Sequence, residues 1–217
     1  MQTAINLVRE GGMTMVPLFA CSLLALAIVL ERFYSLRRSR IIPAEVVEKL
    51  REIRSDSDCE KLASFCDAKG GPLARVIVGV LANRHLPRAE NLELMRVEGR
   101  RKLAPLEHGL TGLAIIAGIS PLLGLLGTVI GMVNVFDVIA AQGIGDAAAL
   151  SAGISKALVT TIAGLSIAIP SLVAHGYFSK RVDDLVGEIE SHAVEAIISI
   201  YDGCGKGSKL DERIVTG

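Results

Sequence analysis

Tryptophan is absent from this 217-residue chain, aromatic side chains make up 4%, and the formal net charge is +0. Few aromatics leave no platform on which bases could stack. A balanced charge leaves no electrostatic grip on a phosphate backbone, so a nucleic-acid partner is not expected. The four cysteines, Cys21, Cys59, Cys66 and Cys204, lack the paired spacing of a metal site and read as reduced, structural residues. The histidines, His85, His108, His175 and His192, are scattered and read as interfacial or surface residues. There is no His-x-x-x-His or Cys-x-x-Cys pair, no Gly-x-Ser-x-Gly elbow and no nucleotide loop. Gly203-Cys204-Gly205-Lys206-Gly207-Ser208 has the glycines of a phosphate loop without its spacing or a preceding strand. An enzyme needs convergent nucleophiles, acids and bases. Their lack argues against bond chemistry, a cofactor or a metal centre.

A further absence is more telling. Asp, Glu, Lys and Arg are missing from Gly11–Leu30, Gly109–Phe136 and Ala157–Ser179, although charged residues make up 21% of the chain. About 20 apolar residues cross a bilayer as a helix, so the sequence predicts three spans. The first could be mistaken for a secretory signal. However, only Arg9 precedes it, Glu10 cancels that charge, and the apolar run continues past Cys21 where a processed lipoprotein would turn polar.

Charge at the span boundaries sets a direction. Arg32, Arg37, Arg38 and Arg40 follow the first run; Arg96, Arg100, Arg101 and Lys102 precede the second; Lys180 and Arg181 follow the third. The link 137–156 carries Asp137 and Asp146, with Lys156 only at its end. The positive-inside rule then gives an N-terminus outside and a C-terminus inside. Residues 1–10 read as an amphipathic lead-in, 31–108 as a cytoplasmic helical insert, 137–156 as an external link, and 180–217 as a cytoplasmic helix and tail. Strand-like alternation is lacking, so the fold class is an all-α membrane protein.

Within the insert, Val46, Val47, Leu50 and Ile53 recur at helical spacing over Ala44–Ile53. Ser55–Asp58 breaks that helix and can cap the next. Leu73–Leu81 reads as a short apolar helix. Leu92, Met95, Leu103 and Leu106 suggest an amphipathic helix over Arg88–Glu107 that runs straight into the second span. Beyond the third span, Val182, Leu185, Ile189, Val194 and Ile197 mark a helix that can pack on its own insert or on neighbouring subunits. From Gly203 the chain is expected to fray.

Small and hydroxylated residues sit deep in the second and third spans. Ser120, Gly124 and Thr128 repeat every fourth position and share one helix face. Gly127 and Gly131 form a Gly-x-x-x-Gly pair on an adjacent face, and Thr160, Thr161, Gly164 and Ser166 stand in the third span. Close packing drives helix association in lipid and explains glycines of this kind. The hydroxyls can bond back to their own helix carbonyls, or they can line a polar path. With no acid inside any span, a proton path here would need its titrating group from a partner helix.

The segment Ser120-Pro-Leu-Leu-Gly-Leu-Leu-Gly-Thr-Val-Ile-Gly-Met132 resembles the second-span signature of the MotA/TolQ/ExbB proton-channel family. Gly153-Ile-Ser-Lys-Ala-Leu-Val-Thr-Thr-Ile-Ala-Gly-Leu-Ser-Ile-Ala-Ile-Pro170 resembles its third-span signature. The Glu31-Arg32-Phe33 exit, the basic cluster after it and the chain length are similar to the ExbB/TolQ branch. The resemblance implies a homopentamer in the bacterial inner membrane whose second and third spans line a central pore. It implies a dimeric single-span partner, similar to ExbD or TolR, whose aspartate carries the proton. It also implies a TonB- or TolA-like protein that receives the work. On this sequence the family's pore-lining threonines fall on Thr128 and Thr161, with Thr160 and Ser120 as further candidates for the path. Gly124, Gly127, Gly131, Gly164 and Pro170 are assigned to helix packing, and Asp137 and Lys156 to the pore mouth. Lys156 stands where the ExbB/TolQ branch often has Glu. Other readings are a gliding or surface motor driven by H+ or Na+, and a scaffold that anchors a partner and conducts nothing.

Overall fold

A computed structural model describes residues 14–53, 55–142 and 147–214. The expected lead-in at 1–10 lies outside the described residues. Those residues are helical, with no strand among them. Helices α1 (Met15–Ser35), α7 (Leu110–Gln142) and α8 (Ala147–Ile214) each contain a stretch long and apolar enough to cross a membrane. Between α1 and α7 come α2 (Arg38–Ile41), α3 (Ala44–Arg51), α4 (Asp56–Lys69), α5 (Pro72–Ala82), α6 (Arg88–Leu103) and a 3-10 turn at Ala104–Glu107.

The chain divides into two compact units. One, the span unit, is Met1–Phe33 with Gly109–Phe178; the other, the insert unit, is Tyr34–His108 with Ser179–Gly217. Helix α8 contributes to both.

The insert unit is built around large aliphatic side chains. Val46 and Leu50 of α3, Leu62 of α4, Leu73, Ile77 and Leu81 of α5, and Leu185, Ile189 and Ile197 of α8 are all buried. Local chemistry starts and stops its helices. At the start of α4 the Asp58 carboxylate accepts from the Ser55 N–H at 3.1 Å and from the Ser55 hydroxyl at 2.8 Å, which satisfies a donor that a helix start leaves open. Gly70 and Gly71 turn the chain with φ of 67° and 97°, and Pro72 opens α5. Asn91, buried, donates to the Val80 carbonyl at 3.1 Å and the Tyr201 hydroxyl at 3.2 Å. Tyr201 in turn donates to the Leu86 carbonyl at 2.5 Å. This network ties α5, α6 and α8 together. Cys21, Cys59 and Cys66 are free thiols, and burial pushes the Cys66 thiol up to about 11, which keeps it protonated and unreactive.

Five details differ from the sequence reading. The helix of 88–103 does not run into the second span: Pro105 lacks an N–H for the ladder, Ala104–Glu107 form a 3-10 turn, and Gly109 takes φ 79°. Most of the expected 137–156 link is helical, since α7 runs on to Gln142 and α8 starts at Ala147. Ala140, Ala141 and Ala147–Ala149 are the strongest helix formers, and they extend both ends. In α6 the inward stripe is Asn91, Met95, Gly99 and Leu103, with Leu92 only half-buried. In α8 Val194 is exposed, while Ala193 and Ala196 are buried; positions 189, 193, 196 and 197 keep to one helical stripe, and 194 leaves it. The expected fraying from Gly203 is replaced by helix as far as Ile214. Extending an existing helix gains one hydrogen bond per residue and needs no new nucleus.

Candidate functional site: the hairpin of the second and third spans

In the span unit the helix contacts are made by glycines and hydroxyls. A Cβ on Gly124 would stand 2.9 Å from the Thr160 carbonyl oxygen and 3.0 Å from the Thr161 Cα. One on Gly127 would meet the Thr160 side chain, and one on Gly131 would lie 2.8 Å from the Ala157 Cβ. From the other side, a Cβ on Gly164 would stand 2.5 Å from the Ser120 carbonyl oxygen and 3.1 Å from the Gly124 Cα. Helices α7 and α8 therefore touch backbone to backbone at Gly124 and Gly164, while Gly127 and Gly131 make room for the Thr160 side chain and the Ala157 Cβ; a Cβ at any of the four would force a shift.

The hydroxyls divide by partner. Ser120 donates to the Ile116 carbonyl at 2.7 Å, Thr128 to Leu125 at 2.6 Å, and Ser171 to Ile167 at 2.7 Å, each within its own helix. Thr160 donates to Ala157 of its own helix at 2.7 Å and lies 3.3 Å from the Gly124 carbonyl. Thr161 reaches across and donates to the same Gly124 carbonyl at 3.2 Å. In an α-helix that carbonyl also accepts from the N–H of Thr128. Gly124 is thus a polar node between the Thr128 backbone and the Thr161 hydroxyl.

Burial separates the candidates named from the sequence. Ser120 is 0% exposed and Thr160 is 1% exposed. Both are enclosed between the helices of this chain. Thr128 and Thr161 keep partial exposure. Pro170, assigned to packing, is exposed and borders a cleft with Ser22, Ala25 and Val29 of α1; its effect on α8 is to remove an N–H. Asp137 and Lys156 are exposed, and both are helical. Leu122, Ile162, Ile169 and Leu172 are each more than 60% exposed, so these helices face outward with aliphatic side chains, as a lipid-facing surface does.

Two features escaped the sequence reading. Arg32, at the end of the first apolar run, is 6% exposed and pairs with Glu31 at 2.8 Å. His175 lies with Nδ1 3.1 Å from the Leu110 carbonyl at the start of α7. Leu110 precedes Gly124 by the same fourteen residues by which His175 follows Thr161, but the sequence gives no register in which to use that spacing.

No group of three or more His, Cys, Asp or Glu able to hold a metal occurs among the described residues. A cavity of about 720 Å³ lies in the insert unit, beside Arg40, Lys69 and Arg75, and none of the span threonines lines it.

A family model described as the MotA/TolQ/ExbB proton channel family matches residues 71–191, more than half of the chain. The chain belongs to this family. Its relatives place it in the ExbB-like branch. It is 28% identical over 194 residues to biopolymer transport protein exbB1 of Vibrio cholerae, covering 88% of this chain and 85% of that protein. It is 32% identical over 194 residues to a biopolymer transport protein ExbB-like 3 of Synechocystis sp., covering 83% and 90%. It is 39% identical over 101 residues to the Tol-Pal system protein TolQ of Pseudomonas aeruginosa, covering 46% and 44%. Members of the family are channel or scaffold proteins and not enzymes. With three apolar helices, this member is a multi-pass membrane protein.

Proposed function

We propose that this chain is the channel subunit of a proton-motive-force-driven motor in the bacterial inner membrane. It assembles as a homopentamer with the N-terminus outside and the C-terminus inside. Its second and third spans wall a central path occupied by an ExbD- or TolR-like single-span partner. The partner's aspartate carries the proton, and the work passes to a TonB- or TolA-like protein for outer-membrane transport or maintenance.

The observation that carries this reading is the node at Gly124. The hairpin holds a hydroxyl and a carbonyl together between apolar runs, Gly109–Phe136 and Ala157–Ser179, that contain no acid. Thr161 and Thr128 can rotate a hydroxyl toward water or a carboxyl group, while the Gly124 carbonyl keeps its ladder partner. The path is otherwise aliphatic, so the proton's carrier has to come from another chain. Asp137 and Lys156 stand at its outer mouth.

Thr161→Val tests the reading, because valine keeps the shape and removes the hydroxyl. The lost hydrogen bond costs about 1 kcal/mol of stability, too little to prevent assembly. In proteoliposomes holding the chain and its single-span partner, proton flux is expected to fall to background in this variant. Wild-type flux in a correctly assembled variant would remove the pore role, and no flux from the unaltered complex would favour the scaffold.

A further inference from the structure

We propose that His175 is a proton-relay residue at the inner end of the path, binding on Nε2 the protons that arrive past Thr161 and releasing them to the cytoplasm. This rests on the channel reading and adds to it a titratable group that the subunit itself provides.

The geometry supports it in three steps. A carbonyl oxygen only accepts, so the 3.1 Å contact with Leu110 puts the hydrogen of the neutral ring on Nδ1 and leaves the lone pair on Nε2. Next, the Leu110–His175 and Gly124–Thr161 contacts are in register. Fourteen residues separate the partners on both helices, which returns each helix to within about 40° of the same face and moves about 21 Å along it. A path walled by the Thr161 face therefore runs toward His175. Finally, from Leu110 to Phe178 the sequence holds one imidazole, while every carboxylate and ammonium in that stretch, Asp137, Asp146 and Lys156, falls between positions 137 and 156 of the sequence. Imidazole is the side chain whose ordinary charge change falls between about pH 5 and 8.

The charged groups around this end can be named element by element. On α1, the Arg32 guanidinium lies beside Gly109, its Nε 3.5 Å from where a Cβ there would stand, and Glu31 pairs with it. On α7 there is no charged residue before Asp137, and on α8 the next are Lys180 and Arg181. The balance closes on one atom: Nε2 gains a proton from water in the path, the ring becomes imidazolium, and Nε2 returns a proton to cytoplasmic water. The Nδ1 hydrogen stays on the Leu110 carbonyl throughout.

His175→Asn tests the relay, because its amide N–H replaces Nδ1–H on the Leu110 carbonyl and cannot titrate. The readout is proton flux of the full chain with its partner in proteoliposomes, followed across about pH 5 to 8. The expected result is normal assembly, flux lowered roughly tenfold or more, and a flattened pH profile. His175→Ala is expected to recover flux when imidazole is added to the buffer. Wild-type flux and pH profile in His175→Asn, or no imidazole rescue of assembled His175→Ala, would overturn the relay and leave His175 as a helix tie. If Thr161→Val abolishes flux while His175→Asn conducts normally, only the relay falls. If both conduct normally, the channel reading falls with it.

Discussion

The span unit and the insert unit are both helical, yet they use opposite residues to hold helices together. In the insert unit the buried positions are Leu, Ile and Val, among them Leu50, Leu73, Ile77 and Ile189. In the span unit the closest contacts are Gly124, Gly127, Gly131, Ala157 and Gly164, with Ser120 and Thr160 enclosed between the helices. Many of its large aliphatic residues face outward instead, although a few, Leu18 and Leu113 among them, are buried. The solvent explains the inversion. Water drives aliphatic side chains together, whereas lipid is as apolar as leucine and gives no such drive. Association there depends on close backbone approach and interhelical hydrogen bonds. Contacts between small residues also leave the Gly124 carbonyl within reach of Thr161, so one packing choice yields both the fold of the hairpin and its polar node.

Substitutions that affect one unit and spare the other test this contrast. The largest effect is expected from Ile189→Ala, at 0% exposure in the insert core. It should cost about 2–5 kcal/mol, seen as faster amide exchange in α3, α5 and the C-terminal half of α8 with the α7 amides unchanged. Equal loss of protection in α7 would show that the two units do not melt separately. Next comes a matched pair of Gly→Ala changes. At Gly124 the new methyl meets the Thr160 and Thr161 backbone and should cost about 1–3 kcal/mol. At Gly187 of the insert unit a Cβ meets nothing within 4 Å, so the same change should stabilise by about 0.5–1 kcal/mol through helix propensity. Thermal melts of the two variants should shift in opposite directions; a shared direction would break the comparison.

The smallest effect belongs to the surface of the insert unit. Arg38 donates to both Glu188 oxygens, with Nε at 3.1 Å from each. That hydrogen bond holds the Glu188 carboxylate below its ordinary value, while Glu188 raises Arg38. A depressed carboxylate stabilises the fold fully above its unfolded value, here the ordinary 4.5, and the contribution is lost as pH falls through the lower folded value. Glu188→Gln should therefore lower the melting midpoint slightly at neutral pH and not at all once the wild-type carboxylate is protonated. A difference that persists in acid would assign the effect to packing.

The sequence alone determined much of the span unit. Charge-free runs set the three apolar helices, because a bilayer tolerates no frequent charge, and the glycine and threonine spacing marked the face on which α7 and α8 meet. Local chemistry was equally legible at the start of α4, where Ser55 and Asp58 meet three residues apart. The failures came where two signals competed. Pro105 broke a helix that side-chain periodicity alone would have continued, and alanines near the 137–156 link extended two helices into a region read as loop. Only the tertiary structure decided which hydroxyls are enclosed and which remain partly exposed. Ser120, Thr128, Thr160 and Thr161 look alike as residues in apolar runs. Their roles separate when the helices approach, because a rotation of 100° per residue places Thr160 inside the hairpin and leaves Thr161 at its edge, bonded to the facing carbonyl. The same approach brings His175 to Leu110 across 65 residues of chain. A pattern read along one helix carries no information about the register of the other, and that register determines which groups meet.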